Sequence, residues 1–220
     1  MPDTPDHKHI KICGLSEPDT LRAALQAGAD MVGFVFYPPS PRAVTPEAAA
    51  RLAAITRAES AARVVALTVD ADDALLDEIT LSVRPDVHQL HGRESAGRAA
   101  DVAARFGSVM KAIPVRSNEA VGEADAYANL GAAILFDAPP PPTSDLPGGN
   151  GTGFDWTALA EARTPYLLSG GLDVSNVAMA MSQPGSSGVD VSSGVERERG
   201  VKDVDLIRAF VAAARGLGRT

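Results

Sequence analysis

The chain has 220 residues, 45% of them hydrophobic, and carries 20 Lys and Arg against 28 Asp and Glu, a formal charge of −8. This acidity argues against a polyanion such as nucleic acid held in a general basic field, while leaving room for a small anion bound by local donors. No apolar run approaches the roughly 18 residues of a membrane span, and one cysteine excludes an intramolecular disulfide, so a reducing, cytoplasmic setting is expected.

Residues 1–8 are polar, lack the apolar core of a signal peptide and are expected to form a loose tail, with one domain over residues 9–220. The first apolar run, His9-Ile10-Lys11-Ile12-Cys13-Gly14, reads as a strand. Alternation puts Lys11 and Cys13 on one face and Ile10 and Ile12 on the other. An ammonium beside a thiol favours thiolate, although a lone cysteine is by default a small buried hydrophobe. Residues 19–28 predict a helix stopped by Gly28, and residues 31–36 a strand covered on both faces. A proline-stiffened loop over residues 37–42 follows, then a helix from Thr45-Pro46-Glu47 to about Arg57, with a Thr cap and Pro at its first position.

The alternation of strand and helix continues: strands over 63–69, 87–92, 109–115 and 132–136, with helices over 72–81, 94–106 and 118–130 between and after them. Residues 138–153 are rich in Pro and Gly and longer than a usual connection, which predicts a lid or binding loop. A short helix over 155–163, strands over 166–169 and 189–192, a helix over 174–181 and a closing amphipathic helix over 203–215 complete the pattern. Eight strand-then-helix units point to an α/β fold, a single (β/α)8 TIM barrel, in preference to a doubly wound open sheet.

In a barrel, residues at strand carboxyl ends converge on one mouth. Here these are Cys13, the loop bearing Arg42, His91, Asp137, Gly170-Gly171 and the stretch from Asp190 to Gly194. Loops after strands seven and eight often hold phosphate, and Ser169-Gly170-Gly171 with Ser192-Ser193-Gly194 offers backbone donors for it. Asp137 emerges from an apolar strand, where partial desolvation suits a general acid. Arg42 suits a substrate carboxylate. Gln89 and His91 share a face and serve either as polar support or as packing. Four scattered histidines, without paired His, Cys or carboxylate spacing, give no metal site.

Taken together, these stretches resemble the phosphoribosylanthranilate isomerase family of tryptophan biosynthesis. The resemblance is carried by Lys11-Ile12-Cys13-Gly14, Gly28-Ala29-Asp30, Val32-Gly33-Phe34-Val35-Phe36, Ser40-Pro41-Arg42, Gln89-Leu90-His91-Gly92 and Leu135-Phe136-Asp137. It continues through Gly148-Gly149-Asn150-Gly151, Phe154-Asp155-Trp156, Leu168-Ser169-Gly170-Gly171-Leu172 and Val189-Asp190-Val191-Ser192-Ser193-Gly194-Val195-Glu196. It implies an Amadori rearrangement with Asp137 as general acid and Cys13 as general base. It further implies Arg42 on the anthranilate carboxylate, Gly170, Gly171, Ser192 and Ser193 on the phosphate, Asp190 near the sugar hydroxyls, and residues 148–151 in a mobile loop over the site. No cofactor is expected, the partner is a phosphorylated small molecule, and the chain is a monomer or a homodimer.

Two stretches depart from the family's pattern. The third strand reads Leu67-Thr68-Val69-Asp70 where Val-Phe-Val-Asn is usual, and residues 139–146 make the sixth loop long and proline-rich. A histidine-pathway isomerase on the same barrel would use two carboxylates, which the cysteine at the first strand's end opposes. A non-catalytic phosphate-binding barrel is opposed by the retention of Cys13, Arg42 and Asp137 together.

Overall fold

The computed structural model describes residues 7–139, 148–151 and 153–216. Eight parallel strands close into a barrel in sequence order: β1 (His9–Cys13), β2 (Met31–Phe36), β3 (Arg63–Thr68), β4 (Val87–Leu90), β5 (Val109–Pro114), β6 (Ala133–Asp137), β7 (Tyr166–Leu168) and β8 (Ser186–Val191). The helices between and after them are α1 (Pro18–Ala27), α2 (Pro46–Glu59), α3 (Asp73–Val83), α4 (Ala96–Phe106), α5 (Glu119–Ala128), α6 (Val177–Met181) and α7 (Val204–Ala214).

Local chemistry explains the helix ends. Thr45, Asp72 and Ser95 each accept a hydrogen bond from the backbone N–H three residues on, satisfying a donor that the first turn of α2, α3 or α4 leaves open. Gly28 closes α1 at φ +93°, a conformation other residues adopt at a steric cost.

The two faces of each strand have different partners. Ile10, Ile12, Val32, Phe34, Phe36, Ile134, Phe136 and Val189 point outward into the core shared with the helices. Met31, Val65, Val87, Met110, Leu135 and Leu167 point inward and fill the barrel's middle. Above them Cys13, Val35 and Leu67 form a small upper layer at the mouth. This is the period-two alternation of a strand used on both faces. Register then decides which polar side chains meet: Lys11 pairs with Asp190 across the β1–β8 seam, and Cys13 pairs with Gly33 of β2.

Three details differ from the sequence expectations. The segment after β6 forms one 3-10 turn, Trp156–Leu159, and not a helix reaching residue 163. Asp155 caps that turn through Thr157 N at 3.0 Å, and Thr164-Pro165 just before β7 disfavours further helical backbone. Seven α-helices therefore surround eight strands among the described residues, and α6 is only five residues long where residues 174–181 were expected to be helical. Between β8 and α7 lies an unanticipated antiparallel hairpin of β9 (Glu196–Glu198) and β10 (Val201–Lys202). Residues 1–6 of the expected tail and residues 140–147 of the sixth loop lie outside the described residues, while His7 and Lys8 of that tail are bonded to Asp30 and to Met181 O. No described helix is long and apolar enough to cross a membrane.

Candidate active site

The mouth of the barrel holds a pocket with about 760 Å³ of atom-free space, lined by every strand end singled out from the sequence: Cys13, Arg42, His91, Asp137, Gly170, Gly171, Asp190, Ser192 and Ser193.

Cys13 is 4% exposed at the end of β1. The Lys11 ammonium on the same face donates to Asp190 Oδ1 at 2.8 Å and acts electrostatically on the thiol. Burial pushes the Cys13 thiol above its ordinary value; Lys11 pulls it down and the Asp190 carboxylate pushes it up again. Lys11 thus favours the thiolate as its position in the sequence suggests, but burial and Asp190 outweigh it. For Lys11 itself burial is the largest influence and acts downward, yet Asp190 and Cys13 together hold the ammonium above its usual pKa. Gly33 leaves room for this pair: a Cβ there would lie 3.0 Å from Cys13 Sγ and 3.3 Å from Lys11 Nζ.

Asp137 closes β6 three strands away around the barrel and is 5% exposed. Its Oδ1 accepts from Ala138 N at 2.9 Å, and its Oδ2 lies 3.1 Å from His91 Nε2. Gln89 Nε2 is 3.2 Å from His91 Nδ1. In this assigned amide orientation the amide nitrogen can only donate, so the ring proton lies on Nε2 and is directed at Asp137. Gln89 and His91 therefore support the carboxyl; they are not simply packing. The backbone of Gly148 approaches so closely that a Cβ would meet His91 Nε2 at 2.7 Å and Asp137 Oδ2 at 2.8 Å.

The turn carrying His91 is itself held by a buried cation that was not singled out from the sequence. Lys111 Nζ donates to Leu90 O, Gly92 O and Glu94 Oε2 at 3.3, 2.8 and 3.1 Å. Glu94 accepts from Asp70 N and Gly92 N as well, tying the ends of β3 and β4 together.

Arg42 is reached through the loop after β2, which returns to its own strand by Val44 N donating to Val35 O at 3.0 Å. Its stem lies over Gly14, where a Cβ would fall 2.7 Å from Arg42 Cδ. The guanidinium is 4% exposed and forms a fork with Glu196: Nε to Oε1 at 2.6 Å and Nη2 to Oε2 at 2.8 Å. Nη2 also donates to Gly149 O at 3.2 Å. The remaining nitrogen, Nη1, makes no bond among the described residues.

Gly170 and Gly171 hold positive φ of 86° and 63°, and the backbone of Gly170 packs directly on Ala138. Gly194 packs on Leu172 O, so the loops after β7 and β8 lie backbone to backbone. The N–H groups of Gly171 and Ser193 donate to no described residue. These features give the β7–β8 side unused backbone donors of the kind an anion accepts from. Glu196 and Lys202, from the unanticipated hairpin, stand behind the lining, bonded to Arg42 and Ser192. The only sequence signal for them was the continuation of the eighth-strand motif through Val195-Glu196.

Comparison with known proteins identifies the family. A family model for N-(5'phosphoribosyl)anthranilate (PRA) isomerase matches residues 10–213. An N-(5'-phosphoribosyl)anthranilate isomerase of Bradyrhizobium sp. (strain ORS 278) is 52% identical over 209 residues, covering 94% of each chain. That of Rhodopseudomonas palustris (strain BisA53) is 52% identical over 213 residues, covering 96% of this chain and 97% of its own. The crystal structure of the Thermotoga maritima phosphoribosyl anthranilate isomerase superposes with a TM-score of 0.84 at 33% identity, covering 95% of this chain and 99% of that one. The chain belongs to the N-(5'-phosphoribosyl)anthranilate isomerase family.

Proposed function

We propose that this barrel rearranges N-(5-phosphoribosyl)anthranilate to 1-(2-carboxyphenylamino)-1-deoxyribulose 5-phosphate, a step of tryptophan biosynthesis, with Asp137 as acid and Cys13 as base. The observation that carries the reading is one pocket lined by a buried carboxyl on β6, a buried thiol on β1, an arginine with an open edge and unused backbone donors after β7 and β8. Protonated Asp137 gives its proton to the furanose ring oxygen as the C1′–O bond breaks, and the anilino nitrogen's lone pair forms the iminium. The Cys13 thiolate removes the C2′ proton, and that electron pair neutralises the iminium to give the enolamine. Tautomerisation to the ketone completes a reaction in which substrate and product have the same atoms, so no redox partner is needed.

The surroundings suit these roles. Once Asp137 has given up its proton, its two oxygens are met by Ala138 N–H and His91 Nε2–H, which stabilise the carboxylate. A thiol raised by burial is a stronger base once ionised, at the expense of a smaller ionised fraction, and Lys11 offsets part of that loss. Arg42 Nη1 would take the anthranilate carboxylate, Gly170, Gly171, Ser192 and Ser193 the phosphate, and Asp190 a sugar hydroxyl. Residues 148–151 form the part of the loop that covers the acid and Arg42.

A related crystal structure, at 31% identity and a TM-score of 0.81, holds reduced 1-(o-carboxyphenylamino)-1-deoxyribulose 5-phosphate, and the Thermotoga maritima enzyme is described as dimeric. For this chain we accordingly infer a phosphorylated small-molecule substrate, one catalytic domain over residues 9–220, a cytoplasmic location and either a monomer or a homodimer. The decisive experiment follows the loss of anthranilate-type fluorescence from freshly generated substrate with wild type, Cys13→Ala and Asp137→Ala. Loss of a general acid or base slows such reactions about 10²–10⁴-fold. A variant that keeps near-full rate would remove its residue from the mechanism, and an inactive, folded wild type would reject the reaction.

A further inference from the structure

Glu196 and Lys202 touch no position a substrate would occupy in the reading above, yet they are among the most buried charges in the chain, with side chains 3% and 2% exposed. Glu196 is fully subscribed. Oε1 accepts from Arg42 Nε and Lys202 Nζ, both at 2.6 Å, while Oε2 accepts from Arg42 Nη2 at 2.8 Å and Gly200 N at 2.9 Å. Lys202 is fully subscribed too: its three N–H groups go to Glu196 Oε1, to Ser192 O at 2.8 Å and to Ser192 Oγ at 3.2 Å.

Two consequences follow from donor and acceptor chemistry. The carboxylate fork occupies the Nε and Nη2 side of Arg42 and leaves Nη1, beside Gly149, as the nitrogen without a partner among the described residues, fixing which edge of the guanidinium can still donate. An ammonium can only donate, so Ser192 Oγ must accept from Lys202, and its own O–H is left to point elsewhere, as a donor toward the pocket that Ser192 lines. The β9–β10 hairpin is the frame: Glu196 starts one strand and Lys202 ends the other, and Gly200 at φ +86° makes the turn between them. Two cations and one anion leave this node with one net positive charge in an otherwise acidic chain.

We propose that Glu196 and Lys202 are positioning residues that clamp Arg42 and Ser192 into a single unit, so that the carboxylate and phosphate ends of the substrate are gripped at a fixed separation. The proposal rests on the roles given above to Arg42 and Ser192. It predicts that the two ends are energetically coupled, and that geometry matters beyond charge.

The test uses Glu196→Asp, Glu196→Gln and Lys202→Met in the full chain, with anthranilate and inorganic phosphate as separate probes by calorimetry and the full substrate by fluorescence. Circular dichroism and thermal melting report folding independently. Glu196→Asp keeps the charge but withdraws it by one methylene. In the proposal, all three variants bind both probes at least about ten-fold more weakly and raise KM to match, with kcat altered less than about three-fold, the pattern of lost ground-state positioning. If Glu196→Asp matches wild type while Glu196→Gln binds anthranilate as well or better, Glu196 merely neutralises Arg42 and the proposal fails. Effects confined to one probe in every variant would show two independent ends and also overturn it. So would a wild type that binds neither probe, or the failure of all three variants to fold, which would make the node purely structural. Coupled loss of both probes in a wild-type background that does not turn over the substrate would keep the clamp and reject the reaction.

Discussion

Replacing Lys11 with Met tests the electrostatics of the base directly. The Lys11 side chain is 0% exposed and its Asp190 partner 5%, with 2.8 Å between charged atoms. Met fills much of the lysine stem's volume, so the chief loss is the cation that neutralises a buried carboxylate. Breaking such a pair from one side costs about 3–5 kcal/mol, a large part of the roughly 5–15 kcal/mol that holds a domain folded. Asp190 also borders the pocket and keeps some access to solvent, so the lower end, about 3 kcal/mol, is expected. Lys11→Met with Asp190→Asn should recover most of this, because no unpaired charge remains. The kinetic signature has a definite sign. Lys11 lowers the Cys13 pKa and Asp190 raises it, so the limb of kcat/KM that rises with thiol ionisation moves to higher pH in Lys11→Met and to lower pH in Asp190→Asn. Urea unfolding measures the first effect and pH–rate profiles the second. A loss below about 1 kcal/mol, the scale of an exposed pair, would refute the account, as would a limb that does not move when Lys11 is removed.

Two further outcomes follow from buried groups. His88 is 1% exposed and burial pushes its pKa down to about 4, so the folded protein holds it neutral while the unfolded chain takes up a proton below about 6.5. Its stabilising contribution is complete above pH 6.5 and declines by about 3 kcal/mol as pH falls to 4; His88→Leu should flatten unfolding free energy between pH 6.5 and 4.5, and an unchanged slope would refute this. Gly33→Ala should displace Cys13 and Lys11 by a few tenths of an ångström, costing about 1–3 kcal/mol as overpacking does. Its kcat should fall more than its KM rises, and a wild-type kcat would show that the base tolerates the methyl.

What could be read from the sequence was mostly what is local. Strand alternation assigned Lys11 and Cys13 to a common face, and the caps at Thr45 and Gly28 follow from residue chemistry within one turn. The barrel was legible because eight such units succeed one another at even spacing. Partners distant in the chain were not. Arg42 and Glu196 are 154 positions apart, and only the loop's return to β2 and the hairpin after β8 bring them together. Asp190 was expected near the substrate's sugar from the resemblance; its bond to Lys11 depends on the β1–β8 register, which exists only because the barrel closes. The helix expected after β6 failed for a local reason with a weak signal, a short segment ending in Thr-Pro. Lys111 and Glu94 gave no pattern at all, since each is a single charge in an ordinary apolar or polar stretch.

Strand order explains how one substrate could meet all of these groups. Going round the barrel from β6, the succession is the proposed acid on β6, the proposed anion cradle on β7 and β8, the proposed base on β1 and Arg42 after β2. On the proposed reading, a phosphate anchored at β7–β8 would lie between acid and base, and the sugar it carries would extend across the mouth with one edge toward Asp137 and the other toward Cys13. The aromatic carboxylate would then fall on the β2 side, beside Arg42 Nη1. The chain's overall charge of −8 does not oppose this arrangement strongly, because exposed charges are screened beyond about 8 Å at physiological salt. What the mouth requires is positive character fixed within hydrogen-bonding reach. Unpaired buried cations would be costly, so Lys11, Lys111, Lys202 and Arg42 each carry a buried carboxylate partner. Such pairs contribute little net stability, but they hold donors in one orientation, and orientation is what an acid and a base acting on either side of one sugar carbon need most.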